Sequence, residues 1–451
     1  MPYGIIHYKN EKYIFKLDES ILSMEKIEDI GGNFMYPEWL ANPPYFSDEF
    51  LEGLNMDTGK IILFKPHSGK VGFKNTTLHI SILYYIELNE RAPINRLSVK
   101  CAELNFFYDI SKCMEKQVFD EEGKVSCHTK SFEETTSTKD CFNLYGKNVE
   151  LYFTIYRGIK SRDCFPLNLH SIINFLFSET NDYDFLVEIC RALHSFLSFA
   201  CYRKNIGEFT IELYKKRKER GHQKIGNIYF PLNNAILERD NIVKDRHLTY
   251  DGIGERIGQI FQDIVDDKLY LRHLPENYHD SLKMNSSKFI MITAAIEWIF
   301  NNLYPEGIKH RSATVKATEK VKSHLAFKIK ESTGKEKELY KFLNRVLISD
   351  PLSQKIVQLG KENDNIFKPI GTFLYCLNNE EDKFEYTQIG KRIETQRNNF
   401  AHGNLDKEFD ELAGLDILFL ERVVYLLQLK AYCSDKDIIM DQVKRLFGMS
   451  F

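Results

Sequence analysis

The spacing of apolar residues changes near residue 280, and this change is the strongest constraint on the fold. Before it, short segments rich in Ile, Leu, Phe and Tyr alternate in part with polar residues, which is typical of β-strands. After it, apolar residues recur at every third or fourth position, which is typical of helices. The sequence therefore predicts an α+β chain, with an antiparallel β-rich domain at 1–280 followed by an all-α helical bundle at 281–451.

Individual elements can be predicted within each region. In the first region, strands are expected at 60–65, 77–88, 102–108, 148–156, 209–214 and 224–230. Turns are expected at 55–59, 66–70, 120–123 and 215–222. Helices are expected in the first region at 183–202 and 254–268. In the second region, helices are expected at 286–303, 312–331, 335–348, 353–363, 387–402, 408–432 and 435–447.

The composition restricts the class of protein. The chain has 61 Lys and Arg against 64 Asp and Glu, and this near balance excludes histone-like binding to nucleic acid through bulk charge. The N-terminus has no signal-peptide pattern, and the longest apolar stretch, 289–300, is too short to span a bilayer. The nine Cys include no CxxC pair, so no disulfide framework or zinc ribbon is expected. These features predict a cytoplasmic protein without metal, cofactor or membrane contact.

Positive charge is concentrated in the second region. Residues 281–451 carry 26 Lys and Arg against 23 Asp and Glu, and the segment 309–330 carries seven against one. Lys316, Lys320 and Lys322 are therefore candidates for contacts with RNA phosphates, because clustered Lys residues release counterions when they bind a phosphate backbone. The alternative is an ordinary solvated helix face. The basic turn at 215–220 allows the same two interpretations.

One short motif indicates chemistry. The segment 397–402, Arg-Asn-Asn-Phe-Ala-His, places Arg397 five positions before His402 and has a polar residue after the Arg. A second pair with this spacing, Arg217 and His222, lies in a polar turn, and we attribute it to chance. Around the first pair the pattern is helical, and it predicts a buried stripe made of Ile389, Ile393, Gln396 and Phe400.

The projection of that helix turns the polar residues of the motif away from the stripe. With Ile389 at zero, Arg397 lies at about 80°, Asn398 at about 180° and His402 at about 220°. Asn398 and His402 are one turn apart and therefore neighbours on the surface. Gly403 follows directly, as expected just beyond a helix end, so the helix dipole favours the imidazolium form of His402.

Three points stay open at the level of sequence. An Arg–His pair with this spacing also occurs in helix capping and in surface hydrogen bonds. Glu297, on an otherwise apolar helix, either holds Arg397 across the bundle or faces solvent. The helix predicted at 408–432 is apolar nearly all round over 412–429, so it is either central to the bundle or shared between the core and a second subunit.

A helical C-terminal region with an Arg-polar-x-x-x-His motif near its end resembles the HEPN superfamily. The resemblance covers residues 283–451, and its most specific element is the hexapeptide at 397–402. The helix-to-strand stretch that begins at Leu186 is similar to the N-terminal region of ApeA-type bacterial anti-phage proteins. The resemblance implies a metal-independent ribonuclease that acts as a homodimer, with Arg397 and His402 of two subunits facing each other across one cleft.

The residue types suit cleavage of RNA, which carries its own nucleophile in the 2′-hydroxyl. We expect His402 to act as the acid or base, Arg397 to bind the phosphate and Asn398 to orient it by hydrogen bonding. The products would be a 2′,3′-cyclic phosphate and a 5′-hydroxyl. The resemblance further implies abortive infection, with the domain at 1–280 as a sensor or regulator that receives a phage-derived trigger, and with transfer RNA as a plausible target.

Two other functions remain open. The chain could be a HEPN-fold dimer that binds RNA or a partner protein without cutting. It could also be a toxin that a separate partner neutralises by modification. An intact Arg397 and His402 favour the nuclease over the first of these alternatives.

Overall fold

The computed structural model describes residues 1–8, 11–27, 49–74, 77–119, 125–159, 167–217, 221–230, 238–308, 310, 312–348, 350–401 and 411–451. The chain forms two compact units. The β-rich unit comprises Met1–Lys268 and Glu276–Tyr278, and the helical unit comprises Leu269–Pro275 and His279–Phe451. The predicted α+β class, with antiparallel strands first and helices second, is confirmed.

The β-rich unit contains fourteen described strands. They are β1 Tyr3–Tyr8, β2 Glu11–Asp18, β3 Ile21–Lys26, β4 Leu51–Asn55, β5 Ile61–Lys74, β6 Thr77–Leu88, β7 Ile94–Lys100, β8 Met114–Phe119, β9 Val125–Thr129, β10 Asp140–Leu144, β11 Lys147–Ile159, β12 Leu167–Thr180, β13 Thr210–Lys216 and β14 His222–Tyr229. Every described pairing is antiparallel, and β8 and β9 form a small sheet of their own.

Six strands close into a ring in the order β6-β3-β2-β1-β4-β5, because β5 pairs with both β4 and β6. The other six continue from β6 as an open sheet, in the order β14-β13-β7-β12-β11-β10. One edge of β6 is divided between the two parts: residues 77–81 pair with β3 and residues 85–88 pair with β14. Alternate residues of the ring strands are buried and form one core.

Short helices complete the β-rich unit. They are α1 Leu104–Phe107, α2 Tyr183–Cys201, α3 Asp240–Asp245, α4 Tyr250–Ile253 and α5 Ile257–Val265, and α6 Tyr278–Leu282 spans the boundary between the units. The α2 helix begins at an Asp182 side chain that accepts a hydrogen bond from the amide of Phe185. It packs against α5 through the rings of Phe196 and Phe261, whose centroids are 5.1 Å apart.

Several sequence predictions in this unit are wrong. The strand expected at 102–108 is the short helix α1, which an ion pair of Glu103 fixes at its start. The turn expected at 66–70 lies inside β5, where the register with β6 shifts on both sides of Pro66. By contrast, the helix expected at 254–268 is present, as a 3-10 turn at Gly254–Arg256 followed by α5. The turn expected at 120–123 lies outside the described residues.

The helical unit contains α7 Ser286–Leu303, α8 Ser312–Glu331, α9 Gly334–Ile348, α10 Leu352–Glu362, α11 Asp364–Cys376, α12 Tyr386–Ala401, α13 Glu411–Leu429 and α14 Lys436–Phe447. The sequence pattern missed α11, since Pro369 and Gly371 lie within it and both residues disfavour helices. Gly371 is required there because a β-carbon would lie 2.0 Å from the ring of Phe384.

The long apolar helix α13 is buried by its own chain. Its described side chains are buried or half-buried around the whole circumference, and it packs against α7, α11, α12 and α14. The predicted all-round apolar character is thus that of a central bundle helix, and it does not require a second subunit. None of the helices in the described part of the chain combines the length and the apolar character that crossing a bilayer demands.

A buried ion pair fixes the start of α1. Arg203 donates to Glu103 at 2.8 Å, both side chains are almost completely buried, and the Gly207 amide donates to the same carboxylate at 3.0 Å. The Arg203 Nε also donates to the carbonyl of Asn205. Removing the carboxylate would leave a guanidinium buried without its counter-charge, which is much more costly than losing a surface pair.

We expect Glu103→Ala to lower the free energy of unfolding by about 3–5 kcal/mol. The matched control is Glu150→Ala, which breaks the exposed pair with Lys139 and should cost at most about 1 kcal/mol. Urea denaturation followed by circular dichroism measures both. Equal losses for the two variants would contradict the structural role given to the buried pair.

His273 gives the helical unit a built-in pH dependence. Its ring is buried and lies near Tyr270 and Tyr425, with centroid distances of 5.7 and 5.9 Å. Burial, together with the nearby Lys288 ammonium, lowers the pKa of His273 to about 3. In the unfolded chain the pKa returns to about 6.5, so only the unfolded state takes up this proton between these two values.

We expect the stability of the helical unit to fall with pH below about 6.5, with His273 contributing about 1.4 kcal/mol per pH unit until its folded pKa is approached. In His273→Phe this contribution should be absent, so the free energy of unfolding should depend less steeply on pH. This holds even if the substitution changes the stability at neutral pH. Trp298 fluorescence during urea unfolding, with Trp39 replaced by Phe, reports the slope. Identical slopes in the two proteins would refute the assignment.

Candidate active site

The α12 helix carries the described part of the motif. The predicted stripe is present, since Ile389, Ile393, Gln396 and Phe400 are all buried. Gly390 lets α12 approach α10 closely, because a β-carbon there would lie 2.6 Å from the carbonyl oxygen of Ser353. The helix is therefore fixed along one side and presents the other side outward.

A buried polar network locks α12 to α11 and α13. Arg392 donates two hydrogen bonds of 2.7 Å to the carboxylate of Asp416, which is completely buried, and the hydroxyl of Tyr375 donates to the same carboxylate. Burial and the adjacent Asp416 carboxylate raise the pKa of Tyr375 well above its usual range. For Arg392, burial acts to lower the pKa, but the hydrogen bonds to Asp416 outweigh it and raise the pKa overall. This bidentate geometry fixes the rotation of α12 as well as its position.

Arg397 lies one turn and a half further along α12 and is paired with α7. Its Nη2 donates to Oε2 of Glu297 at 2.7 Å, and the side chains are 36% and 25% exposed. Of the two possibilities left open by the sequence, the structure therefore shows that Glu297 holds Arg397. The contact engages one nitrogen of a group that has five N–H donors, so the guanidinium is oriented while remaining accessible to solvent.

The other two motif residues differ in what the structure describes. Asn398 follows Arg397 on the exposed side of α12. His402 lies outside the described residues, as does Gly403, and α12 is described to Ala401, the residue before His402. The structure thus brings Arg397 and Glu297 together. Asn398, the residue after Arg397, is exposed on the surface of α12.

The three candidate Lys residues lie on α8 and do not form one patch. Lys316 and Lys320 are exposed and one turn apart, so they share a helix face. Lys322 is half-buried and lies about 120–160° around the helix from these two. The hydrogen bonds and ion pairs described for α8 do not join any of the three to Arg397.

Two further polar contacts around α7 were not expected from the sequence. Lys355 of α10 is buried and donates to Asn301 at 3.2 Å, and Asn301 lies one turn beyond Glu297 on α7. Lys288, near the start of α7, forms a buried ion pair with Glu421 at 2.8 Å. The signal that could have found Glu421, and Asp416 as well, is an acidic residue inside the otherwise apolar sequence of α13, since a buried acid needs a partner.

Among the described residues, no three His, Cys, Asp or Glu side chains are grouped so that they could hold a metal ion. No protein-family model, curated protein or solved structure matches the chain.

The two ion pairs of α12 should differ sharply in their effect on stability. We expect Asp416→Asn to lower the free energy of unfolding by about 3 kcal/mol, because Arg392 would keep its charge in a largely buried site. Glu297→Gln should lower it by less than about 1 kcal/mol, because the pair with Arg397 is partly solvated. Urea denaturation followed at the helical band of circular dichroism measures both. A larger loss for Glu297→Gln would contradict the difference in burial between the two pairs as the cause of their different effects on stability.

Proposed function

We propose that the chain is a metal-independent endoribonuclease of the HEPN type that acts in the bacterial cytoplasm as an anti-phage, abortive-infection protein. One observation carries the proposal. A rigidly positioned helix, α12, presents a solvent-accessible guanidinium held in place by an acid, and a histidine follows it five residues later in sequence. An Arg with a His is a combination that can cleave RNA without a metal ion.

In the proposed reaction His402 accepts the proton of the ribose 2′-hydroxyl, or protonates the departing 5′-oxygen. The 2′-oxygen attacks the adjacent phosphorus, the bond to the 5′-oxygen breaks, and the products are a 2′,3′-cyclic phosphate and a 5′-hydroxyl. Arg397 stabilises the anionic transition state, for which its fork of N–H donors is well suited. Asn398 orients the phosphate or the imidazole by a hydrogen bond.

The ion pair with Glu297 has a defined place in this reaction. It keeps the Arg397 side chain extended in one direction, which reduces the entropy that is lost when RNA binds. A phosphodiester must share the guanidinium with the Glu297 carboxylate, or displace it. Glu297 is therefore a positioning residue in the proposal, and it does not touch the reacting atoms.

We propose further that two copies act together, with Arg397 and His402 of each lining one cleft. The exposure of Asn398 and the partial exposure of Arg397 support this, since the described residues of the chain leave the polar side of α12 at least partly open. The β-rich unit would sense a phage-derived trigger and restrain the nuclease. Lys316, Lys320 and Lys322 would contact RNA, and transfer RNA would be the substrate.

A second candidate is a HEPN-fold dimer that binds RNA or a protein without cutting it. The observation that favours it is again the pair between Arg397 and Glu297, because a guanidinium already matched by a carboxylate has less attraction for a phosphate. A cleavage assay with end mapping separates the two functions.

We expect the wild-type protein to cleave bacterial RNA in the presence of EDTA and to leave 2′,3′-cyclic phosphate and 5′-hydroxyl ends. His402→Ala should lower the rate by about 10²–10⁴-fold, the usual effect of losing an acid–base group. Arg397→Ala should lower it by about 10²–10³-fold, the usual effect of losing a donor that stabilises charge in the transition state. Both variants should retain the circular dichroism spectrum. The matched control is His222→Ala, which alters the other Arg–His pair of this spacing and should leave the rate unchanged.

Two results would reject the nuclease. Cleavage that persists in His402→Ala would remove the histidine from the mechanism. RNA that binds the wild-type protein but is not cut under any tested condition, with binding reduced in Arg397→Ala, would favour the second candidate.

A further inference from the structure

The helices α8 and α9 form a hairpin that leaves much apolar surface open. Within the described part of the chain, each is the main packing partner of the other. Leu325 is the one apolar side chain of the hairpin that is described as buried. Two helices that pack on each other in this way have little core of their own, so the stability of the hairpin depends on what covers its remaining apolar side.

That apolar surface is a continuous stripe on α9. Leu339, Phe342, Leu343 and Leu347 are 61%, 56%, 45% and 38% exposed. At 100° per residue these four fall within an arc of about 140°, which is the width of a core-facing helix stripe. The less exposed side of α9, which carries Lys337, Tyr340 and Asn344, lies at one edge of this arc. The stripe therefore has the pattern of a buried helix face, but no described residue of the chain covers it.

We propose that this stripe, Leu339–Phe342–Leu343–Leu347, is an interface at which α9 of two copies of this chain pair antiparallel. The charges beside the stripe support this occupant. Glu338 and Arg345 are exposed and lie on the same edge of the stripe, seven residues apart. When Leu339 of one copy is set against Phe342 of the other, coiled-coil geometry places Glu338 opposite Arg345 at both ends of the contact.

This arrangement is self-complementary, which a twofold interface requires, because the same surface must match itself after rotation. Like any twofold contact, it joins two copies and no more through this one surface. Pairing along α9 leaves Lys316 and Lys320 on the far side of α8, where they remain available to a polyanion. The inference goes beyond the proposed function, since it depends neither on Arg397 nor on RNA cleavage.

Other occupants fit the stripe less well. An anionic membrane would meet Glu336, which lies within the arc of the stripe one turn before Leu339, and Glu338 beyond one edge, and both would be repelled. RNA would find large apolar side chains where it needs hydrogen-bond donors or flat aromatic rings. A second copy satisfies the apolar stripe and the edge charges together.

Sedimentation velocity on the full-length protein tests the proposal. The wild type should show a dimer whose dissociation constant rises at least tenfold in Leu339→Ser/Phe342→Ser. Glu338→Arg alone and Arg345→Glu alone should each weaken the dimer at least threefold, and the double exchange should restore it to within twofold of the wild type. Phe327→Ser is the matched control, because Phe327 of α8 is 54% exposed but lies outside the stripe.

Cysteine cross-linking tests the direction of pairing. With Cys127, Cys141, Cys164, Cys376 and Cys433 replaced by Ser, Glu338→Cys/Arg345→Cys should give a covalent dimer on mild oxidation, whereas Glu338→Cys alone should not. Residues 338 and 345 of one helix are about 10 Å apart along its axis and cannot bridge each other.

A wild-type protein that stays monomeric at 100 μM, on the order of ten times a weak dimer constant, would overturn the proposal. So would a dimer that is indifferent to the changes at Leu339 and Phe342, a failure of the charge exchange to restore it, or cross-linking by Glu338→Cys alone. Binding to phosphatidylglycerol vesicles that requires Leu339, without dimerisation, would assign the stripe to a membrane instead. Loss of RNA cleavage with an intact dimer would reject the proposed function and leave this inference standing.

Discussion

The geometry of the helical unit depends on one buried interaction, the paired hydrogen bonds between Arg392 and Asp416. Buried ion pairs add little to stability compared with apolar packing, but they fix a single arrangement, because every alternative leaves a charge unmatched in a poorly polar interior. Here the pair joins the surface-facing helix α12 to the central helix α13, and Tyr375 extends it to α11. The rotation of α12 about its axis, and with it the direction of Arg397, follows from that arrangement.

The two ion pairs of α12 differ in burial: one fixes the position of the helix, and the other leaves its guanidinium accessible to solvent. Arg392 is largely buried and matched by a buried acid, whereas Arg397 is partly solvated and matched by Glu297 near the surface. An electrostatic interaction gains strength as water is removed from around it, so the first pair holds the helix. In the proposed function, the second pair would be exchanged for a pair with an RNA phosphate at modest cost. One arginine would then fix the helix, and the other would bind the substrate.

The sequence predicted the parts of the fold that depend on periodicity, and it failed where local chemistry overrides periodicity. Strand β6 was placed at its observed bounds because its alternation is long, and the stripe of α12 was correct because four buried positions recur at helical spacing. The helix α11 was missed because Pro369 and Gly371 interrupt its propensity, although packing against its neighbours compensates. The segment 102–108 has the composition of a strand, but the buried Glu103 commits it to a short helix.

The motif residues of the candidate site could be predicted from the sequence, but the residues that pair with them could not. Arg397 and Asn398 follow from the motif, whereas the pairing of Glu297 with Arg397 joins residues 100 positions apart. Only the packing of α7 against α12 brings them together, and no local pattern encodes that packing. The same holds for Asp416, whose partner could be any of several basic residues until the helices are placed.

Strand β6 belongs to both the closed ring and the open sheet of the β-rich unit. One of its edges is occupied by β5 along its length, and the other is divided between β3 and β14. The closed ring and the open sheet therefore share the strand β6, and backbone hydrogen bonds connect them through it. Removing the first 60 residues would expose the backbone edge of β5 at 61–64 and that of β6 at 77–81, and unpaired edges favour aggregation, so the ring cannot be removed as an independent module.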